Sequence, residues 1–418
     1  DLTLRNDWSS ALPAQNNSYL YPSISASWII SELWNATGPL SLAKLRASYA
    51  QVGSDIGAYQ TNFTYNSGTP FGSTPTFGLP NTLINENLRP ALSSSYEFGV
   101  DLRFFKNRLG LDVTHYKNAA TDQILTLTIP GSSGYSSAII NAGVITSEGF
   151  EISLTALPIQ SSNFLWEVNF NAATNNSQVV ELADGLDNRR LDGWGWGGLS
   201  INAPVGGEWG MFRGTGYKLF QAIDASGNPV DHPNNGQRMV NPSGYERELN
   251  KDLGGFLPDW TGGFRNTLVY KGFELTGFVE FQIGGRFHSI TKMFTAYSGL
   301  GPETVGNPLR DPIIDGGGVR LDGVDADGND VTHYVEAQDY FAGLFALHER
   351  WIFDQSYVKL RELRLGYSLP RSLSSRLAMQ NVNVSIIARN LWLIHTNVEG
   401  IDPSEISPGS NSYVFQEN

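Results

Sequence analysis

From Tyr96 to Phe104 apolar and polar residues alternate without a break. Tyr96, Phe98, Val100, Leu102 and Phe104 share one face, and Glu97, Gly99, Asp101 and Arg103 share the other. A period of two marks a strand with one apolar side. After the polar Lys106-Asn107-Arg108 the pattern resumes, with Leu109, Leu111 and Val113 against Gly110, Asp112 and Thr114. Two such runs joined by a short polar turn predict a hairpin. The same alternation returns at Phe150–Ala156, Phe164–Phe170, Phe273–Ile283 and Val382–Ala388. Further strands are expected at 2–11, 19–31, 41–52, 262–270 and 356–368. In the last of these the apolar parity slips between Leu360 and Leu363, which predicts a bulge. No helix of 12 or more residues is expected, and 371–379 has room for one or two turns.

An all-β chain of this kind can be a soluble sandwich or a membrane barrel. Many of the runs reach 9–13 residues. Sandwich strands are usually about 5–6 residues long, whereas tilted membrane strands need about 9–11. Aromatic residues gather towards the expected strand ends, at Trp8, Tyr19, Tyr21, Trp28, Trp34, Tyr116 and Tyr270. Rings with a polar edge sit well where lipid meets water, so membrane barrels carry aromatic girdles. The polar faces hold Glu97, Asp101, Arg103, Asp112, Glu274 and Glu280. Solvent outside a sandwich or water inside a wide barrel would suit them equally. Lipid also demands closure, because each unpaired backbone group in hydrocarbon costs several kcal/mol. Roughly a dozen strands are expected here, enough to close a barrel. The final Tyr413–Asn418 segment is too short for a membrane strand.

Composition narrows the choice of function. The chain has 418 residues, 41 acidic against 28 basic, and a net charge of -13. Such a balance argues against nucleic acid, since phosphates call for cations. There is no cysteine, hence no disulfide scaffold, thiolate zinc site or cysteine nucleophile. No run approaches the roughly 18 apolar residues of a spanning helix. The opening Asp1-Leu2-Thr3-Leu4 carries no signal peptide and enters a strand pattern at once, so a mature or trimmed piece of a longer protein is expected.

The alternation stops in two long regions, about 184–261 and 299–347. Connections this long are usually functional or disordered. Outer-membrane barrels keep short turns on one rim and long loops on the other, so these regions are candidates for a binding rim. Trp194, Trp196 and Trp209 could stack on sugar rings or peptide groups; the alternative is that they pack the loop's own small core. Asp325, Asp327 and Asn329, with Glu336 at the twelfth position, imitate a calcium loop. Asp330 stands where that loop needs glycine, so a solvated acidic turn competes with a structural Ca²⁺ site. Gly193, Gly195 and Gly198 match a dinucleotide pattern by letter but lack the strand-turn-helix setting it needs. Six scattered histidines show no paired metal spacing, and no Gly-x-Ser-x-Gly elbow occurs. No catalytic residue is expected, and no cofactor beyond that possible Ca²⁺.

Arg5–Ser10 leading to Tyr19–Ser23, Leu42–Gly53, and Asn85–Pro90 before Tyr96-Glu97-Phe98-Gly99 resemble, in order, segments of the SusC/RagA-type TonB-linked outer-membrane proteins of Bacteroidota. Asn141-Ala142-Gly143 to Gly149-Phe150-Glu151 follows, with Ser147 and Glu148 where the family usually has Asn. Leu257-Pro258-Asp259-Trp260, Tyr270–Phe273, Tyr357–Leu363 and Gly366–Pro370 continue the likeness. Arg389-Asn390-Leu391-Trp392 and Ile401-Asp402-Pro403 finish it, with Ser404 set before Glu405.

The resemblance implies a transmembrane antiparallel β-barrel, part of one with about 22 strands and a plugged lumen. It implies residence in the outer membrane, in contact with its lipid. It also implies active import of oligosaccharides or oligopeptides, energised by TonB and assisted by a SusD-like surface lipoprotein lid. Residues 1–418 would be the C-terminal barrel portion, without plug or N-terminal extension, so no energy-coupling residue can be placed. Two other readings compete: a structural or adhesion component using the same barrel without transport, and a secreted β-rich carbohydrate-binding protein or hydrolase. The last would be soluble without detergent.

Overall fold

The computed structural model describes residues 1–33, 38–193, 198–306, 308–409 and 412–417. Eleven long strands form one antiparallel meander in sequence order. They are β1 (Leu2–Trp8), β2 (Ser18–Ile29), β3 (Leu40–Ser54), β4 (Ala91–Phe104), β5 (Leu109–Thr121) and β6 (Val144–Gln160). Then come β7 (Phe164–Thr174), β8 (Pro258–Tyr270), β9 (Phe273–Gly284), β10 (Tyr357–Ser368) and β11 (Asn383–Thr396). A twelfth, short strand, Asn176–Glu181, pairs with the start of β6. Each run expected from the alternation is a strand of this wall.

Register turns eleven local patterns into one surface. Leu45 faces Val100, Val100 faces Val113, Val113 faces Ile152 and Ile152 faces Ala172. Further along, Phe170 faces Phe264, Leu268 faces Leu275, Leu275 faces Leu365 and Leu365 faces Ile386. A slip of one residue anywhere would move a whole strand's apolar set to the other side. This apolar face is uncovered: Phe98 is 58% exposed, Ile386 73% and Leu4 65%. The bulge expected in β10 is present. Its pairing with β11 shifts between Leu360 and Glu362, and its pairing with β9 shifts at Phe278/Val279. Arg361 is the extra residue.

The connections divide cleanly by end. At one end they span 30–39, 105–108, 161–163, 271–272 and 369–382. At the other they span 9–17, 55–90, 122–143, 175–257 and 285–356. The tightest short turn is Lys271-Gly272, with φ of 47° and 87°. That pair of positive angles matches the right-handed twist of the flanking strands. The 371–379 segment folds as a helical turn at Arg371–Ser374 followed by a 3₁₀ turn at Ser375–Leu377.

The long end holds the buried core. Its first body joins the 9–17, 55–90 and 122–143 connections through Leu12, Leu88 and Ile139. Its second joins 175–257 to 285–356. Here the strands Asn188–Gly193, Ser200–Pro204, Met211–Tyr217 and Arg247–Gly255 enclose Leu199, Ile201, Phe212 and Leu253. Helices α1 (Ile290–Tyr297) and α2 (Ala337–Leu344) close a larger cluster around Tyr217, Met293, Phe341, Leu347 and Trp351. The two irregular regions foreseen from sequence are therefore one packed unit; the first begins and ends a few residues earlier than expected, and the second extends past both expected limits. The 55–90 connection is a third long one that the alternation did not single out.

Candidate functional site

The inner face of the wall, opposite the apolar one, carries paired charges. Arg46 on β3 donates to Asp112 on β5 through two parallel bonds of 2.8 and 2.7 Å, and its Nη2 also donates to the Thr114 hydroxyl at 3.1 Å. This forked geometry fixes the guanidinium as well as neutralising it. Gly99, between them on β4, leaves the space: a Cβ there would lie 2.8 Å from the guanidinium. A recess of about 690 Å³ opens over this pair, lined also by Ser25, Ser48, Glu97 and Glu151.

A denser network lies towards the long end. Lys359 on β10 is almost fully buried, at 3% exposure. Its ammonium donates to Asp402 at 2.6 Å, Glu405 at 2.7 Å and Ser404 at 2.9 Å. Arg361, the bulged residue, donates to Glu280 on β9 at 2.8 Å and to Glu405 at 3.0 Å. The Tyr357 hydroxyl also binds Glu280. The segment after β11, with its 3₁₀ turn at Pro403–Glu405, is thereby tied onto the inner face. A lysine without these carboxylates would cost several kcal/mol to bury. Tyr357–Leu363 and Ile401-Asp402-Pro403 are far apart in the sequence, and only the fold brings them together. The only sequence signal was a parity slip beside two cations in an otherwise alternating strand.

The rim offers a second surface. A cleft of about 380 Å³ lies between α1 and α2, lined by Tyr297, Thr304, Arg310 and Phe341. Arg310 is committed to the fold, donating to the carbonyls of Thr304 and Gly299 at 2.5 and 2.7 Å. Deeper in this body, His348 accepts the Thr215 backbone N–H at Nδ1, 2.9 Å away. Its ring stands 6.3 Å from that of His288, and both are buried. Burial pushes the two pKa values down, to about 3 for His288 and about 4 for His348, with Arg247 adding to the shift at His348. Both rings are neutral at physiological pH.

The expected site residues have different fates. Trp194 and Trp196 lie outside the described residues, as does Trp34. Trp209 is half-buried and packs against Val179, Leu182 and Ala203, so it supports the rim from beneath. Asp325, Asp327 and Asn329 form the tip of a hairpin between Val319–Val324 and Asp330–Val335. Asp325 Oδ1 accepts the N–H groups of Asp327 and Asn329, both at 2.9 Å, and those bonds hold its carboxyl below the usual range. Asp224-Ala225-Ser226-Gly227-Asn228 repeats that turn, with Asp224 accepting from Ser226 and Asn228. Among the described residues, no group of three His, Cys, Asp or Glu could hold a metal ion.

The aromatic girdle needs one correction. Trp8, Trp28 and Tyr270 stand exposed at strand ends, as expected. Tyr116 lies well inside β5, paired with Glu97 and Gly149 of the inner face, and its hydroxyl binds the Thr174 carbonyl. Tyr19 and Tyr21 also turn inward, opposite Asp7 and Arg5, and Tyr21 binds the Asp7 carboxylate. Position along the chain suggested a strand end; parity decides the side.

Comparison with known proteins agrees with this geometry. Residues 1–382 match the model of the TonB dependent receptor-like β-barrel family. TonB-dependent receptor P39 of Formosa agariphila is 27% identical over 96% of the chain and 41% of its own length. The TonB-dependent receptor SusC of Bacteroides thetaiotaomicron is 25% identical over 66% of the chain and 28% of its own length. The solved RagAB peptide transporter superposes with a TM-score of 0.72 at 22% identity, covering 99% of the chain and 44% of its counterpart. The chain thus spans about two-fifths of the curated P39 receptor. The strand meander, the uncovered apolar face and the family match place it in the outer membrane: the chain belongs to the TonB-dependent receptor β-barrel family.

Proposed function

We propose that this chain forms wall and rim of an active importer of nutrient oligomers, glycans or oligopeptides, energised through TonB. One observation carries the reading. A single register gives an apolar outside and a charged inside, and the four connections of more than 20 residues all lie at one end. A wall of that kind separates lipid from a wet conduit, while a rim with its own core presents a fixed surface to the medium. A SusD-like lipoprotein would cap that rim. Trp194, Trp196 and Trp209 are the aromatic residues proposed to contact cargo. At Asp325, Asp327 and Asn329 the bonds from backbone N–H groups to the Asp325 carboxylate support a solvated acidic turn over a Ca²⁺ site. The inner face offers charge pairs and hydroxyls for transient hydrogen bonding to cargo.

The test is uptake of labelled oligosaccharides and oligopeptides by cells lacking the gene. Loss of one class, restored by the full-length gene, supports import. Unchanged uptake of every candidate, with the protein present in the outer membrane of the parent strain, would sink it. Affinity purification of the full receptor in mild detergent checks for the lipoprotein lid.

A further inference from the structure

Charge is distributed unevenly along the barrel axis. The five connections at the end that carries the rim, with the segment after β11, hold 28 acidic and 13 basic residues, net -15. The five at the opposite end hold five basic residues and a single acidic one, Glu32, net +4. In outer-membrane barrels the short turns face the periplasm. The chain is therefore strongly acidic outside and basic where its wall meets the inner leaflet.

The basic residues are Lys106, Arg108, Lys271, Arg371 and Arg376. All five are exposed, and none is in an ion pair among the described residues. Four of them lie beside exposed apolar side chains at the edge of the wall. Lys106 follows the exposed Phe105, and the Lys271 ammonium sits 5.3 Å from the centre of the Tyr270 ring. Arg371 and Arg376 flank the exposed Leu373. Arg108 is held in place by the carbonyls of Leu157 and Pro158, at 3.0 and 2.6 Å, which leave its charge uncompensated. Exposed apolar side chains under unpaired cations fit the boundary between acyl chains and phosphate headgroups.

We propose that the short-turn edge is a docking surface for anionic phospholipid headgroups of the periplasmic leaflet, with Lys106, Lys271, Arg371 and Arg376 as the adaptable contacts and Arg108 as a fixed one. The partner follows from charge complementarity: a net +4 ring directly below an apolar band meets a lipid with an anionic head more favourably than a zwitterionic one. Each cation near such a surface contributes about 1 kcal/mol, or about fivefold in preference. Acting together they hold the wall at a fixed depth while the rim works. The inference depends on the barrel reading and its orientation, not on import.

The experiment uses the full-length receptor in nanodiscs of phosphatidylethanolamine alone or with added phosphatidylglycerol, and counts retained lipids by native mass spectrometry. The wild type is expected to retain phosphatidylglycerol over phosphatidylethanolamine, in a salt-dependent way. The fourfold variant K106Q/K271Q/R371Q/R376Q is expected to lose about tenfold or more of that preference. Its heat-resistant gel mobility should persist, because all four side chains are exposed. Equal retention of both lipids by the wild type overturns the proposal, as does an undiminished preference in the variant. If the variant does not fold, the single changes K106Q and R376Q decide, each by a partial loss or its absence. A receptor whose import fails but whose lipid preference holds would separate this inference from the proposed function.

Discussion

The wall and the rim are built by opposite rules. In the wall, large apolar side chains such as Phe98, Leu275 and Ile386 stand on an uncovered face, and strands are held by register and backbone bonds. In the rim, Phe212, Leu199, Met293 and Leu347 are fully buried in several small clusters. Lipid can replace a core for the wall, because acyl chains solvate its apolar side. Water cannot do this for the rim, so long connections exposed to the medium must bring their own. A side chain's identity therefore says less about its role than the solvent on its side of the sheet.

This contrast can be broken deliberately. Phe212→Ala removes a ring that is 0% exposed at the centre of a rim cluster. It should cost the rim about 3–5 kcal/mol. Limited proteolysis should then cut within 175–257 while the wall keeps its heat-resistant mobility; loss of both together would show that rim and wall are one cooperative unit. Val100→Arg places a cation among lipid-facing neighbours and should cost the wall about 2–4 kcal/mol near mid-bilayer. Ser153→Arg, on the inner face, should leave denaturant unfolding in lipid almost unchanged. Equal costs at the two positions would refute the assignment of faces.

Acid should loosen the rim before the wall. His288 and His348 have folded-state pKa values lowered to about 3 and about 4, against an ordinary value of 6.5. The unfolded segment binds protons that the folded one refuses, so stability is full above about pH 6.5 and falls as pH drops towards the folded values. At pH 5 the loss should be about 2 kcal/mol for each histidine. Proteolysis of the rim at pH 5 and pH 7 measures it, and a His348→Gln variant should lose part of the difference. Identical rates at both pH values would contradict the buried, neutral pair. The smallest effect is expected at the twin hairpin tips. Asp224→Ala and Asp325→Ala each remove carboxylate bonds to backbone N–H groups in solvent, and should alter only local amide exchange.

The wall was legible in the sequence because its pattern is local and never has to be hidden. Alternation over 9–13 residues survives wherever one face meets lipid, and even the slip at Arg361 showed as broken parity. The rim was not legible. Its strands and eight-residue helices are short, and they pack through residues far apart in the chain, as Tyr217 does with Met293 and Phe341. Lys359 and Asp402 are 43 residues apart, and nothing local in either segment announces their contact. Trp209 shows the same limit: a loop tryptophan could face ligand or core, and only packing distinguishes them.

The central claim is that alternate residues of one strand face lipid and water. Residues 1–418 contain no cysteine, so single cysteines introduced along β4 meet no background within them. Variants at Glu97, Phe98, Gly99, Val100, Asp101 and Leu102 of the full-length receptor would be treated in proteoliposomes with a membrane-impermeant maleimide. Labelling is expected at 97, 99 and 101 and absent at 98, 100 and 102. Uniform labelling along the strand, or labelling of the even positions alone, would contradict a barrel wall in lipid.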